Sequence, residues 1–457
     1  MKTEATLSLK KLAIQGTLWT LAGYGASQML RFGSNLILTR LLEPKLFGLM
    51  ALLSVFIVGL HLFSDIGIGP SIIQNKRGDD PAFLNTAWTL QVIRGFCLWF
   101  GCLLLAAPVA DFYGEPQLKL LLPVVGLGTI ISGFASTALF TLNRHMLVGQ
   151  LAIFELGGQI ASIAVMIVWA RFSPSIWALV AGGLASDVLR MVWSHRLNSG
   201  PPNRFVWDRE AAKSIFSFGK WIFLSTAVTF LADQADRVIL GKLISFEMLG
   251  VYGIAFTLSD LPRNVLGALS GKVIFPAFSK LADLPRETFR AKIQKNRKPV
   301  LIAMALVLTI AVSFGDMLIA VLYDKRYIQA GWMLPVLALG IWPRVLTQTI
   351  DPALLAVGKP SYSALGNQLK FLFVIIGLPV SFSLMGLPGA VLVVALNDLP
   401  FYGAIIFGLW REKLTCAEQD IKATALLLTL LVLVLSCRWS AGFDLPVSGL
   451  VRAIYVQ

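Results

Sequence analysis

The stretch TFLADQADRVILGK (229–242) sets Asp233, Gln234, Asp236 and Arg237 inside a run that is otherwise soluble in hydrocarbon. A charge at the centre of a bilayer costs roughly 2.5–3.5 kcal/mol on insertion scales, so three within five residues need partners, water or a task. Ser225, Thr229, Asp233 and Asp236 lie three or four apart and share one helical face. Tyr24, Gln28, Arg31 and Asn35 form a second such stripe near the start of the chain. Asp233 and Arg237, four apart with the acid first, can neutralise each other along the helix. That pairing leaves Asp236 and Arg31 in need of partners or water, which points to a wet cavity. Asp233, Asp236 and Arg237 therefore have two readings, a coupling site that takes up a proton or sodium ion and a plain ion-pair network holding helices.

Other apolar runs carry Gln91 and Arg94, Glu155 and Gln159, and Asp260 and Arg263. Arg31, Arg94 and Arg263 sit near mid-run, and guanidinium groups facing a cavity suit a phosphate or diphosphate, which they grip with paired hydrogen bonds. These three, with Gln28 and Asn35 beside Arg31, are the substrate-binding candidates. Lys272, Arg344 and Lys370 read as lying nearer the ends of their runs, where long side chains snorkel to the interface. Cys97, Cys102, Cys416 and Cys437 lack metal-ligand spacing and read as packing residues, and His61, His145 and His195 form no metal motif.

The elements that must carry these side chains are membrane helices. Of 457 residues, 56% are hydrophobic and 14% charged, against about 25% charged in a soluble domain. The mean hydropathy is +0.74. Twelve apolar runs of about 20 residues, the length that crosses a bilayer core, lie near 13–38, 46–64, 85–107, 119–140, 150–170, 174–194, 214–243, 248–272, 299–322, 330–350, 365–385 and 388–410. A thirteenth, 423–437, follows a charged linker, and the apolar tail 446–457 reads either as a segment that enters the membrane or as a fragment of a fourteenth. The first run is too long and too polar for a cleaved signal peptide. The net charge of +14 concentrates in alternate loops, which fits the positive-inside rule with a cytoplasmic N-terminus and argues against nucleic acid. Loop 280–298, with Phe289 and Ile293 four apart, is expected to form an amphipathic helix lying on the inner surface and touching membrane lipid. Outer loops are short, which leaves little room for an extracytoplasmic catalytic centre, so no enzyme is expected.

The chain also repeats itself. A shift of 202 lays 18–51 on 220–253, with Trp19 on Trp221, Gly48 on Gly250, Arg31 on Asp233 and Asn35 on Arg237. LPVVGLG (122–128) matches LPVLALG (334–340), ALFTLNR (138–144) parallels ALLAVGK (353–359), and Asp187 parallels Asp398 at a shift of 211. The expected fold is all-α and polytopic, with two six-helix lobes (1–200 and 201–412) related by a pseudo-twofold along the membrane normal. Residues 413–457 add a linker and one or two helices. Parallel repeats of this kind are one of the geometries that transporters use.

The residues ASQMLRFGSNLILTRLLEPKLFGLMAL, FSDIGIGPSIIQ (63–74), DRVILGKLISFEMLGVYGIAF, KVIFPAFSKL (272–281) and LYDKRYIQAGWMLPVLALG (322–340) carry a resemblance over most of 10–412. The chain resembles the polysaccharide transporter family of bacterial lipid-linked oligosaccharide flippases, in the multidrug/oligosaccharidyl-lipid/polysaccharide exporter superfamily. The resemblance implies a central, largely cationic cavity through which undecaprenyl-diphosphate-linked glycan units cross the cytoplasmic membrane by alternating access. It implies service to exopolysaccharide, O-antigen or capsule synthesis and glycan polymerase or assembly proteins as partners. No cofactor is expected beyond coupling to a proton or sodium gradient. The alternatives are a cation-coupled multidrug-type exporter, whose cavity would favour acids and aromatics, and a flippase of the peptidoglycan lipid precursor.

Overall fold

The computed structural model describes the backbone of residues 2–64, 67–145, 147–197, 202–446 and 448–450, and side chains there except at 2–18, 20, 21, 63, 148, 217–229 and 272. The side chains of Ser225, Thr229, Trp221 and Lys272, and most of the tail 446–457, lie outside the described residues. Among the described residues the regular structure is helical, with no strand. Eight helical segments among the described residues are long and apolar enough to cross a membrane, and a further pair bent by 61° counts as a ninth when taken as one span. The chain divides into two compact units, 1–227 and 228–457.

The first unit holds α1 (Lys2–Leu41), α2 (Pro44–Phe63), α3 (Ile68–Gln74), α4 (Pro81–Tyr113), α5 (Leu118–Gly133), α6 (Ala138–Arg144), α7 (Val148–Phe172) and α8 (Ile176–Ser194). It also holds the first part of α9 (Arg209–Leu243). Local chemistry sets the ends. Asp80 accepts from the Ala82 amide and Pro81 opens α4, while Gly114, at φ 68, ends it in the left-handed region. α4 and α5 approach closely because Gly95 has no Cβ to strike the Thr129 carbonyl. Between α5 and α6 the chain bends by 61°, and the freed carbonyls find donors. Gln91 Nε2 bonds the carbonyls of Ser132, Gly133 and Ala135 at 3.2, 3.0 and 3.0 Å, and Trp88 and His195 serve that of Phe134. Ile72, Phe83, Leu84 and Ala87 pack with Ala211, Ala212 and Ile215 of α9.

The second unit continues with α10 (Phe246–Ser259), α11 (Leu261–Leu269), α12 (Phe275–Ser279), α13 (Arg286–Leu322), α14 (Ala330–Gly340), α15 (Trp342–Gln348), α16 (Asp351–Ala356), α17 (Ser361–Leu396), α18 (Asp398–Arg411) and α19 (Ala417–Ser440). Run 248–272 is broken within, because Pro262 opens α11 and a wide turn occupies 270–274. α17 contains a break at Gly386 (φ 56, ψ −142), where only glycine sits without strain. The expectation for 280–298 is also corrected. α13 runs unbroken from Arg286 into the span, and Phe289 and Ile293 are fully buried against Phe278, Leu354, Phe401 and Leu409. Their four-residue spacing marks a face turned to protein, since an apolar stripe carries no label for what covers it.

The thirteenth run is α19, tied to α13 by one buried and one part-buried ion pair. Arg297 on α13 meets Asp420 on α19, with Arg297 Nε on Thr349 Oγ1 (2.7 Å) and Tyr402 donating to Asp420 Oδ2 (2.9 Å). At the far end Arg438 on α19 forks onto Asp316 of α13 at 2.7 and 2.5 Å. Paired in this way, each charge keeps strong hydrogen bonds to offset its desolvation.

Candidate functional site

In the second unit the carboxylates of the α9 stripe are paired with other helices rather than with Arg237. Lys370 of α17, 2% exposed, places Nζ 3.1 Å from Asp233 Oδ1 and 3.1 Å from Asp398 Oδ1. Asp398 opens α18, where the helix N-terminus favours a carboxylate. Arg263 completes the set, with Nη2 3.6 Å from Asp233 and Nη1 3.3 Å from Asp260, and Asn264 Nδ2 donates to Asp260 Oδ2 at 3.1 Å. Pro262 starts α11 between Asp260 and Arg263, so the acid at the corner and the base one turn on face each other.

Two expectations change here. The Asp233–Arg237 pairing is replaced: Arg237 bonds Gln234 Oε1 at 3.1 Å and lies 5.2 Å from the Phe256 ring centre, and Asp236 accepts from the buried Tyr252 hydroxyl at 2.6 Å. Lys370, expected to snorkel, is buried. One ammonium between two carboxylates inside the bundle offsets desolvation better than a pair on a single helix surface. Arg344 stacks its guanidinium 4.7 Å from the Phe401 ring centre, a cation–π contact.

The first unit holds a cavity of about 460 Å³ whose polar lining includes His61, Gln91, Arg94, Glu155, Asp187 and Arg190. Arg94 is engaged there with the end of α2, its Nε donating to Ser64 Oγ (2.9 Å) and its Nη2 to the His61 carbonyl (2.6 Å). Glu155 pairs with Arg190 at 2.6 Å across α7 and α8. Asp187 is different. Its carboxylate has no hydrogen bond or ion pair among the described residues, and it lies so close to α5 that a Cβ on Gly128 would meet Oδ2 at 2.5 Å. A carboxylate facing a cavity without a hydrogen bond, with Arg190 acting on it only through space, is equipped to hold a proton or a cation.

Of the other residues read from sequence, Arg31 is exposed on α1 and does not line this cavity. Gln28 Nε2 donates to Tyr24 at 2.9 Å, and the Asn35 carbonyl accepts from Thr39 Oγ1 at 2.8 Å. Gln159 is bonded both ways to Ser27, at 2.7 and 3.0 Å. Arg94, Glu155, Gln91 and Asp187 are thus gathered in one place, while Arg31, Gln28 and Asn35 lie apart from it. Arg190 escaped the sequence reading; its signal was a position three residues after Asp187. Among the described residues no group of three or more His, Cys, Asp or Glu is placed to hold a metal.

Residues 37–331 match a family model described as polysaccharide biosynthesis protein. The chain is similar to the lipopolysaccharide biosynthesis protein WzxC of Escherichia coli, 23% identical over 286 residues, which are 61% of this chain and 56% of that one. It is 26% identical over 301 residues to the teichuronic acid biosynthesis protein TuaB of Bacillus subtilis, covering 65% of this chain and 61% of that one. The match to the succinoglycan biosynthesis transport protein ExoT of Rhizobium meliloti is 24% over 345 residues, 75% and 68% of the two chains. The first two matches thus span 56% and 61% of those relatives' lengths. In fold the chain is similar to the inward closed lipid II flippase MurJ, with a TM-score of 0.64 at 12% identity over 99% of this chain and 95% of that one. An inward-facing multidrug resistance MATE transporter gives 0.63 at 13% identity over 86% and 94%.

Proposed function

This chain belongs to the polysaccharide biosynthesis protein family and is a multi-pass bacterial membrane protein, and from that premise we propose that it carries a lipid-linked glycan across the cytoplasmic membrane. The cargo in this reading is an oligosaccharide repeat unit on undecaprenyl diphosphate. Transport proceeds by exposing polar groups within the spans alternately to the two sides, with the N-terminus in the cytoplasm. The observation that supports it most is the match to the family model over residues 37–331. The resemblance of the chain to proteins named for lipopolysaccharide, teichuronic acid and succinoglycan synthesis points the same way.

Charge chemistry supports an anionic cargo. Arg31 is the candidate with most freedom to bind it, since Arg94 is anchored to α2 and Arg263 shares Asp260 and Asp233. Gln28 and Asn35 flank Arg31 one turn away on the same face. No step of covalent chemistry is required.

The test is depletion of the protein in its host, followed by extraction of polyprenyl-linked glycans and labelling by leaflet. Accumulation of a diphosphate-linked oligosaccharide on the cytoplasmic leaflet, with loss of surface polysaccharide, is expected. An unchanged lipid-linked pool with raised sensitivity to cationic drugs would favour a multidrug-type exporter. Arg31→Ala is expected to lower glycan export at least tenfold with unchanged membrane levels, and wild-type export would remove Arg31 from the site.

A further inference from the structure

The two ion pairs between α13 and α19 give the second unit a ruler. Arg297 and Asp316 are 19 residues apart on α13, and Asp420 and Arg438 are 18 apart on α19. At 1.5 Å per residue these separations are about 27–29 Å, close to the roughly 30 Å of a bilayer's hydrocarbon core. The pairs therefore mark the two edges of that core. Trp439, 72% exposed beside Arg438, fits an interface position at one edge.

At the other edge a groove of about 450 Å³ lies between α13 and α19, lined by Lys295, Lys298, Leu301, Ile302, Lys422 and Leu426 among others. Lys295, Lys298 and Lys422 are exposed, and one acid, Glu418, answers them by pairing with Lys422 at 2.5 Å. On both helices the leucines and isoleucine lie on the core side of the Arg297–Asp420 pair, the direction of the hydrocarbon. The lysines flank the pair itself, at headgroup depth. Arg297 and Asp420 are buried and matched to each other, so the rim sets three lysines against one glutamate.

We propose that this groove is a binding site for an anionic glycerophospholipid, whose phosphate sits among Lys295, Lys298 and Lys422 and whose acyl chain lies along Leu301, Ile302 and Leu426. The site stands apart from the cargo reading above, because it needs only the membrane and a net positive rim. Basic grooves between membrane helices recognise such headgroups.

The test uses full-length protein in a neutral detergent, with its melting temperature followed as phosphatidylglycerol, phosphatidylcholine, undecaprenyl phosphate or inorganic phosphate is added. Saturable stabilisation by phosphatidylglycerol that exceeds each of the others is expected. It should weaken by roughly fivefold in apparent affinity per lysine changed to Gln at 295, 298 and 422. Glu418→Gln is expected to tighten binding by a similar factor. Equal stabilisation by phosphatidylcholine, or unchanged phosphatidylglycerol binding in the triple variant, overturns the site. A response to undecaprenyl phosphate alone, or one reproduced by inorganic phosphate, overturns the glycerophospholipid as its occupant.

Discussion

Positions 31, 159 and 187 in the first unit stand where 233, 370 and 398 stand in the second, by shifts of 202, 211 and 211. Packing supports the second shift. Residue 190 crosses 155 and residue 182 crosses 166 in the first unit, as 401 crosses 366 and 393 crosses 377 in the second. The same positions carry opposite arrangements. In the second unit Asp233, Lys370 and Asp398 close on one another, with ammonium–carboxylate distances of 3.1 Å on both sides. In the first, the ammonium is replaced by Gln159, a neutral amide bonded to Ser27 of α1. Asp187 is left without a hydrogen bond or ion pair among the described residues, and Arg31 is exposed on α1. At these three positions the second unit ties its charges into one cluster between helices. The first leaves Arg31 and Asp187 outside any such cluster and joins α7 to α8 through Glu155 and Arg190 instead.

The largest expected effect falls on the closed copy. Lys370→Met takes the shared ammonium from the buried Asp398 and from the part-exposed Asp233, which keeps Arg263, and should cost about 3–5 kcal/mol of stability. Gln159→Met should cost only about 1 kcal/mol, the net worth of an ordinary hydrogen bond. Unfolding curves of both variants in the same detergent decide this, and equal losses would erase the distinction between the copies.

Next come the matched acids. Asp398→Asn should lose roughly 1.5–3 kcal/mol with its charged hydrogen bond. Asp187→Asn should stay within about 0.5 kcal/mol of wild type, because it breaks no pair. If export falls in Asp187→Asn at unchanged stability, the free carboxylate belongs to function; if it melts early, Asp187 is structural.

Installing the second unit's cation in the first is a finer probe. Gln159→Lys should pair with Asp187 and change stability by less than about 1 kcal/mol, since a new pair must offset its own desolvation. Glycan export should fall at least tenfold. Unaltered export would mean that Asp187 need not be free.

The smallest effect lies outside the spans. Burial pushes the Asp79 carboxyl up, but hydrogen bonds from His145 and Arg144 more than compensate, so it titrates below the usual carboxylate range. Its stabilisation is present above the unfolded-state value near 3.8 and fades as pH falls through the lowered folded value. Asp79 is half exposed, so solvent screening limits the contribution to a few tenths of a kcal/mol. Asp79→Asn should flatten that small loss in acid unfolding curves recorded below about pH 4, with stability at pH 7 lower by the same amount.

Much of this molecule is legible in its sequence because the bilayer makes hydropathy decisive. A span must satisfy its backbone internally, so about 20 apolar residues become a helix whatever surrounds them. The helices over 46–64, 150–170 and 174–194 lie where the apolar runs put them. Registration of Asp187 with Asp398 also came from the residues alone. The sequence could not say which charges meet. Asp233 and Arg237 are neighbours on one helix, but the Lys370 that holds Asp233 lies 137 residues away, and local spacing carries no trace of such a partner. It was silent too on the cover over Phe289 and Ile293, since lipid and protein both accept an apolar stripe. Whether α19 is an appendage or a part of its unit was decided by Arg297 meeting Asp420 and Arg438 meeting Asp316, each pair more than a hundred residues apart. Local chemistry determined where the chain crosses the membrane. Burial, which makes an unmatched charge costly, decided through tertiary contact which charges are tied, as Asp233 and Asp398 are to Lys370, and which, as Asp187, make no ion pair among the described residues.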